Sequence, residues 1–581
     1  MADISAPSII KPGSIAILLG VCVLLFFWGL GDLPFSNRGE SREGIVVSEM
    51  YSSGNWILPV VNGEYIPFKP PLFHWFGVIA AELLGRIDEF TLRLPSAVFA
   101  TLGVLLTYFV AARLWGERAG FVSGVVLATS AEWWQAGTDT QVDMTLAFFI
   151  GAACWYFYFL YQQREFSMLR CLVLPLLLAL ATLAKGPIGV VVPSLVFLIF
   201  LWLRHDFAFV RKLHPFASAA VFCLVAGSWY GLALWQGGPA FFLRQIVDEN
   251  FRTAAGTYGH YQPFYYFIPI FLENTLPWSF FFPSLAIFLY NRCRKLSDEQ
   301  LLFPLVWLVT IFIFFTMSLG KRGVYILPLY PALALLFGVW WRKLEVGETD
   351  DGGLARFIGF LIGVSSLLVF AAFLVYLAGE HGLVDQSVFA PLTKNSNAVR
   401  LLRSLTAPSA VVLACLVLFG TAAVCLLRAS LKRNWRVMFT CLAVLAAAFT
   451  MVMKNAFYPP IVFERTLKPF MVRVTDKVNP KIPLVFYRAF DAGAIFYARR
   501  HIPAYEVKAN ELKPPFFLLM WEEDWKGLAE RSELKMVDIS EGRGPVGRHR
   551  LVLVKSASVL SLPLEQTPIA GDNGSVDNRA E

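Results

Sequence analysis

Residues 70–85, PPLFHWFGVIAAELLG, decide the topology of this chain. The stretch is apolar but only sixteen residues long, with His74 inside it and two prolines at its start. A helix that crosses a membrane needs about 20 mostly apolar residues. If this one crosses, everything after it changes sides. Around it lie thirteen stronger candidates: 13–31, 93–113, 119–134, 141–161, 169–184, 187–203, 215–235, 276–291, 301–318, 324–341, 356–378, 409–427 and 435–454. With 70–85 not crossing and the N-terminus in the cytoplasm, the cytoplasmic loops are 113–118, 162–170, 204–214, 292–300, 342–356 and 428–436. Those six short loops hold seventeen Lys and Arg residues, as the positive-inside rule requires. If 70–85 crossed, all six would face outward. The stretch therefore reads as a helix lying along the outer membrane face.

Composition supports the same class. Of 581 residues, 57% are hydrophobic and 16% charged, against about 25% charged in a soluble domain. That excludes a soluble multidomain protein, a disordered chain and a nucleic-acid binder. The net charge of +8 is then a determinant of topology. The 15% aromatic content suits lipid-facing helices and interfacial belts. No small-residue cleavage site follows 13–31, so this segment reads as an anchor. The eight cysteines show no CxxC spacing and none lies in the long polar segments, so they read as packing residues and no disulfide is expected.

This topology exports 32–92, 236–275, 379–408 and everything after 454. Residues 455–557 change character: short β-like runs, PLVFY 483–487, FFLLM 516–520 and RLVLV 550–554, alternate with helical patterns such as DAGAIFYARR 491–500. The expected architecture is an all-α polytopic membrane protein of about thirteen transmembrane helices over 1–454. A small α/β extracytoplasmic domain follows over 455–557, then a disordered tail over 558–581. No internal repeat is visible.

The first exported loop carries the chemistry. Residues 33–75 read LPFSNRGESREGIVVSEMYSSGNWILPVVNGEYIPFKPPLFHW, with Arg38, Glu40, Arg42, Glu43, Glu49, Glu64 and Lys69. Mixed charges directly over a bilayer suit an amphiphile with an anionic head. The pattern resembles the first periplasmic loop of the GT-C glycosyltransferases that use polyprenyl-phosphate sugars, above all the aminoarabinose lipid A transferases and protein O-mannosyltransferases. The residues that carry the likeness are Gly39-Glu40-Ser41-Arg42-Glu43, Glu49-Met50, Ser53-Gly54-Asn55-Trp56-Ile57, Pro59 and Phe68-Lys69-Pro70-Pro71. Later come Gln141-Val142-Asp143-Met144, Leu183-Ala184-Lys185-Gly186-Pro187, Glu249-Asn250-Phe251-Arg252, Gly259-His260, Pro263-Phe264-Tyr265-Tyr266, Lys321-Arg322, Tyr325-Ile326-Leu327-Pro328 and Tyr330-Pro331. The likeness covers about 30–340 and runs in the family's order.

The resemblance implies a GT-C fold and an enzyme of the bacterial inner membrane. Its N-terminus is cytoplasmic and its C-terminal domain periplasmic. Such an enzyme moves one sugar, with inversion, from a polyprenyl-phosphate carrier to an outward-facing lipid or protein acceptor, and is expected to act as a monomer. Two positions depart from the pattern. Gly39 stands for the first acid of the family's D-E pair, which leaves Glu40 as the expected base. Phe68 stands for the Glu of E-K-P-P, which puts a divalent metal near His260 in doubt. A hydroxyl acceptor benefits from a carboxylate base, and the leaving phosphate is stabilised by cations. Glu40 and Asp143 are thus the expected catalytic acids. Arg42, Lys69, Arg252, Lys321 and Arg322 are expected at the phosphate, with Tyr265 and Tyr325 as further substrate-binding candidates. As sugar-stacking rings, Tyr265, Tyr266, Trp133 and Trp134 are outweighed by their reading as interfacial belt. The alternatives are a lipid-linked oligosaccharide transferase, or a transporter or flippase. Transporters place charges at mid-membrane, usually in paired repeats; here the charges cluster in exported loops.

Overall fold

A computed structural model describes residues 11–63, 66–252, 261–293, 299–349, 351–380, 409–508, 512–545 and 549–558. His260, the 379–408 loop beyond 380 and the tail beyond 558 lie outside the described residues.

The first membrane segment begins as α1 (Pro12–Cys22), with proline at the helix start, where its missing N–H is no loss. α2 (Arg38–Ser53) follows in the first loop. Asn37 caps it by accepting from the Glu40 amide at 2.8 Å, and Gly54 ends it at φ +68°. α3 (Leu72–Leu84) is the decisive short stretch, and it stops at Gly85 in the same left-handed conformation. It buries Leu72, Phe73, His74, Gly77, Val78 and Ala81. Its Gly77 backbone lies so close to α2 that a Cβ there would sit 2.8 Å from Val47. Asp88 then caps α4 (Glu89–Trp115), accepting from the Thr91 amide at 2.9 Å.

Among the described residues, nine helical runs are long and apolar enough to cross a membrane; Pro12–Phe27, Leu72–Leu84 and Ile188–Leu203 are apolar but shorter. After α4 come α5 (Glu117–Ala128), α6 (Ala131–Thr138), α7 (Val142–Gln163), α8 (Met168–Lys185) and α9 (Ile188–Leu203). The expected span 119–134 divides between α5 and α6. Thr129 and Ser130 turn their hydroxyls back to the carbonyls of Val125 and Val126, each at 2.7 Å, and close the helix there. Trp133 and Trp134, expected as interfacial residues, are buried instead. Their indole N–H groups donate to the carbonyls of Ala100 and Leu25. The span expected at 215–235 continues helically to Glu249, with a kink at Gly238 (φ 55°, ψ −148°) just before Pro239.

The C-terminal region forms a four-stranded sheet in the order β1-β2-β4-β3, with β1 Leu484–Phe486, β2 Phe516–Trp521, β3 Leu534–Ile539 and β4 Leu551–Ser556. β1 and β2 are parallel and the other pairs antiparallel. β1, β2, β4 and the helix Ala492–Ala498 fall on the expected runs. β3 was not legible: it is a half-exposed edge strand carrying Lys535 and Asp538, so its apolar signal is weak. The sheet domain docks on the first loop. Tyr497 accepts from the Phe35 amide at 2.8 Å and donates to Glu89 at 2.9 Å, Lys468 reaches Glu89 at 2.7 Å, and Asn62 exchanges two hydrogen bonds with Ile502. Touching segments lie on one side of a membrane. The chain therefore crosses an even number of times between them.

α8 comes close to α9 at Gly189, where a Cβ would lie 2.2 Å from the Ala181 backbone carbon. Gly189→Ala must push the two helices apart, at about 1–3 kcal/mol. The detergent-purified variant should melt at a lower temperature than wild type, whereas Gly13→Ala, which has nothing within 4 Å, should not.

Candidate active site

α2 presents two charges where α3 and the 66–71 segment meet it. The Glu43 carboxylate is buried, 4% exposed. His74 of α3 places Nε2 2.8 Å from Oε2, and Arg42 places Nη2 3.1 Å from Oε1. Burial alone would raise the Glu43 carboxyl. Arg42, His74 and Lys69 outweigh it and bring the pKa down to about 2, so the group stays ionised.

Lys69 stands directly before Pro70-Pro71, whose fixed φ angles stiffen the segment. The Gln245 amide clamps it further, donating to the carbonyls of Pro67 at 2.8 Å and Lys69 at 3.0 Å. The Lys69 ammonium is ion-paired with Glu249. Burial first, then the cations Lys185 and Arg42, push it well below the ordinary lysine range, against the opposing pull of Glu43 and Asp143. Asp143, in the first turn of α7, pairs with Lys185, the last residue of α8. The Lys185 ammonium in turn lies 4.5 Å from the ring centre of Tyr325. Three cations and three carboxylates thus meet at the ends of α2, α7, α8 and the proline-stiffened segment. Phe68 completes the wall, its ring beneath the guanidiniums of Arg244 at 3.7 Å and Arg42 at 5.5 Å.

The sequence profile of the dolichyl-phosphate-mannose-protein mannosyltransferases matches residues 68–230. The undecaprenyl phosphate-alpha-4-amino-4-deoxy-L-arabinose arabinosyl transferase of Shewanella sediminis is 30% identical over 386 residues, which are 64% of this chain and 68% of that protein. The chain belongs to the GT-C glycosyltransferases that use polyprenyl-phosphate sugars. The enzyme of the same name from Aeromonas salmonicida is 29% identical over 371 residues, covering 62% of this chain and 67% of that one. The fold agrees: the crystal structure of ArnT from Cupriavidus metallidurans bound to undecaprenyl phosphate superimposes with a TM-score of 0.73 at 20% identity, over 95% of this chain and 99% of that one.

Within this GT-C glycosyltransferase, Arg42, Lys69, Asp143 and Tyr325 come together as expected from the sequence. Glu40 does not join them. Its carboxylate forms a two-point pair with Arg93, at 2.8 and 3.0 Å, and also accepts from the Thr140 amide at 3.0 Å and the Asn37 side chain at 3.3 Å. It is 3% exposed and its lone pairs are occupied. The expectation that Glu40 is the base is corrected accordingly: this group ties α2 to α4 and to the turn before α7. Lys321 is buried and donates to the Gln262 carbonyl at 3.1 Å, while Arg322 is exposed. Tyr265 is 54% exposed on the short turn Phe264–Tyr266. Arg252 ends a helical stretch, but its side chain, like His260, lies outside the described residues. At position 68 a phenyl ring offers a metal nothing. Among the described residues no group of three His, Cys, Asp or Glu side chains is placed to hold one. The site members not selected from sequence are Glu43, His74, Lys185 and Glu249. The available signal was spacing: Glu43 lies four residues after Gly39, on the same helix face.

Breaking a buried ion pair strands its partner, at about 3–5 kcal/mol. Arg93→Met should therefore lower the melting temperature sharply. The double variant Glu40→Leu/Arg93→Met should recover much of the loss, as thermal unfolding of the purified proteins would show.

Proposed function

We propose that this enzyme transfers one sugar, with inversion, from a polyprenyl-phosphate carrier to an acceptor outside the cytoplasmic membrane. The donor is an undecaprenyl-phosphate-linked sugar of the aminoarabinose kind, and the acceptor is lipid A, another glycolipid or a protein. The N-terminus lies in the cytoplasm, and the 455–557 domain lies in the periplasm beside the site. One chain suffices, since it supplies every charged group of the cluster. The observation that carries this reading is the gathering of Arg42, Lys69 and Lys185 around a stiff segment next to apolar helices. A polyprenyl phosphate with its tail in the bilayer brings its anion to that depth.

In the reaction the acceptor oxygen attacks the anomeric carbon from the face opposite the carrier. The new C–O bond forms as the bond to the phosphate oxygen breaks, and the phosphate keeps the electron pair. Lys69 and Arg42 stabilise that developing charge. Glu43, held ionised and oriented by His74, takes the acceptor proton. Asp143 keeps Lys185 turned into the site and orients the acceptor. Tyr325 lies beneath Lys185, where a sugar ring would stack. Arg252 and Arg322 reach the carrier phosphate from the far loops.

A charge-assisted hydrogen bond contributes about 1.5–3 kcal/mol. Lys69→Met should accordingly weaken binding of a polyprenyl phosphate roughly 10- to 100-fold in a titration of the purified protein. An unchanged dissociation constant would remove Lys69 from the phosphate site.

Glu43→Gln should slow transfer about 100-fold per mole of folded protein, the scale of general-base catalysis, with a separate loss of melting temperature from its broken ion pairs. Full turnover by this variant would shift the base to Asp143.

A further inference from the structure

On the other side of α2 lies a second cavity, of about 760 Å³, walled by α2, the turn 85–88 and the C-terminal domain. With 3.6 residues per turn, Ile45, Ser48, Glu49 and Ser52 fall on the helix face opposite Glu43. One helix thus serves two compartments. The cavity is separate from the charged cluster but on the same side of the membrane, because both are built on the first loop.

Its chemistry is mixed in a particular way. The floor is apolar, with Ile45, Ile87, Ile495 and the ring of Phe496. Ser48, Ser52 and Tyr51 bring hydroxyls to the wall. Arginines outnumber carboxylates: Arg86, Arg499 and Arg500 stand against Glu49 and Asp88, with His501 in addition. Glu49 is engaged by His501 at 2.8 Å and Asp88 by Arg86 at 3.1 Å. Arg500 donates to the carbonyls of Pro480 and Ile482. The exposed Arg499 side chain has no hydrogen-bond or ion-pair partner among the described residues. It projects from a left-handed residue (φ 51°) that ends the helix Ala492–Ala498. An unneutralised guanidinium fork at the mouth of a hydroxyl-lined cavity suits a planar or tetrahedral oxyanion. The volume is that of a small-ligand pocket, enough for one or two sugar rings. The carboxylates and hydroxyls can pair with sugar hydroxyls, and the Phe496 ring offers an apolar face.

We infer that this cavity binds a phosphorylated saccharide, with Arg499 on the phosphate and the Ser48–Ser52 face of α2 on the sugar. The inference rests on the proposed glycosyl transfer only in the choice of a saccharide. The ligand is either the head group of a membrane glycolipid or a soluble sugar phosphate.

The test is calorimetric titration of the full chain in nanodiscs with glucosamine 1-phosphate, glucosamine and inorganic phosphate. Glucosamine 1-phosphate should bind, and the other two should bind at least about tenfold more weakly, since each lacks half of the contacts. Arg499→Glu should weaken glucosamine 1-phosphate at least about tenfold, the effect of losing one charge-assisted contact. Ser52→Trp, which fills the cavity, should do the same. Lys69→Met should leave this binding unchanged, so failure of the transfer reading and failure of this one are separable. A glucosamine-phosphate-headed lipid added to the nanodiscs distinguishes the sources: tighter binding than the soluble sugar means a glycolipid ligand, equal binding a soluble one. Wild-type affinity in both Arg499→Glu and Ser52→Trp, or inorganic phosphate binding as tightly as the sugar phosphate, would overturn the inference. So would binding to bare anionic lipid alone.

Discussion

A carboxylate and a guanidinium cannot leave water singly without a penalty of several kcal/mol each. Glu40 and Arg93 leave it together, and the geometry of their meeting sets the positions of two other segments. Arg93 brings α4 and donates also to the carbonyls of Leu30 and Leu33, the stretch that leads into α2. Glu40 brings α2 and, through the Thr140 amide, the turn before α7. Asp143 follows Thr140 by three residues and Glu43 follows Glu40 by three. One buried pair thereby fixes the two carboxylates that face the cation cluster, each from its own helix.

The cluster itself is held in electrostatic tension. Lys69 is buried beside two other cations, which raises the free energy of its charged form. Glu249 pairs with Lys69 directly, while Glu43 is shared with Arg42 and His74 and Asp143 with Lys185. An arriving phosphate dianion would meet donors already gathered, in competition with the carboxylates that hold them. That is the arrangement called preorganised: the cost of bringing the cations together is met by the fold and not by the ligand.

Much of this was legible from residue order alone. Membrane helices announce themselves by local hydropathy, and the basic loops between them give the expected orientation. The strands of the sheet domain were found where they are apolar on both faces, and β3 was missed because its edge position lets it carry charge. The ordered motifs named Arg42, Lys69, Asp143 and Tyr325, which the fold brings together. The error at Glu40 came from a question that order does not answer. Arg93, its partner, lies 53 positions away inside an apparently ordinary apolar helix. Which of two neighbouring carboxylates is locked and which faces the cluster depends on helix rotation, and that is a tertiary property. The pairing of Lys69 with Glu249 was hidden for the same reason.

The docking of the sheet domain onto the first loop has a consequence in time. Asn62 meets Ile502 across 440 residues of chain, and Phe35 meets Tyr497 across 462. At about 5–20 residues per second of synthesis, roughly 20 to 90 seconds separate the emergence of the loop from that of its clasp. During that interval α2 stands without the partner that covers its Ser41–Ile45 side. The loop that carries the charged cluster therefore waits, with one face of α2 uncovered, until the sheet domain has been made.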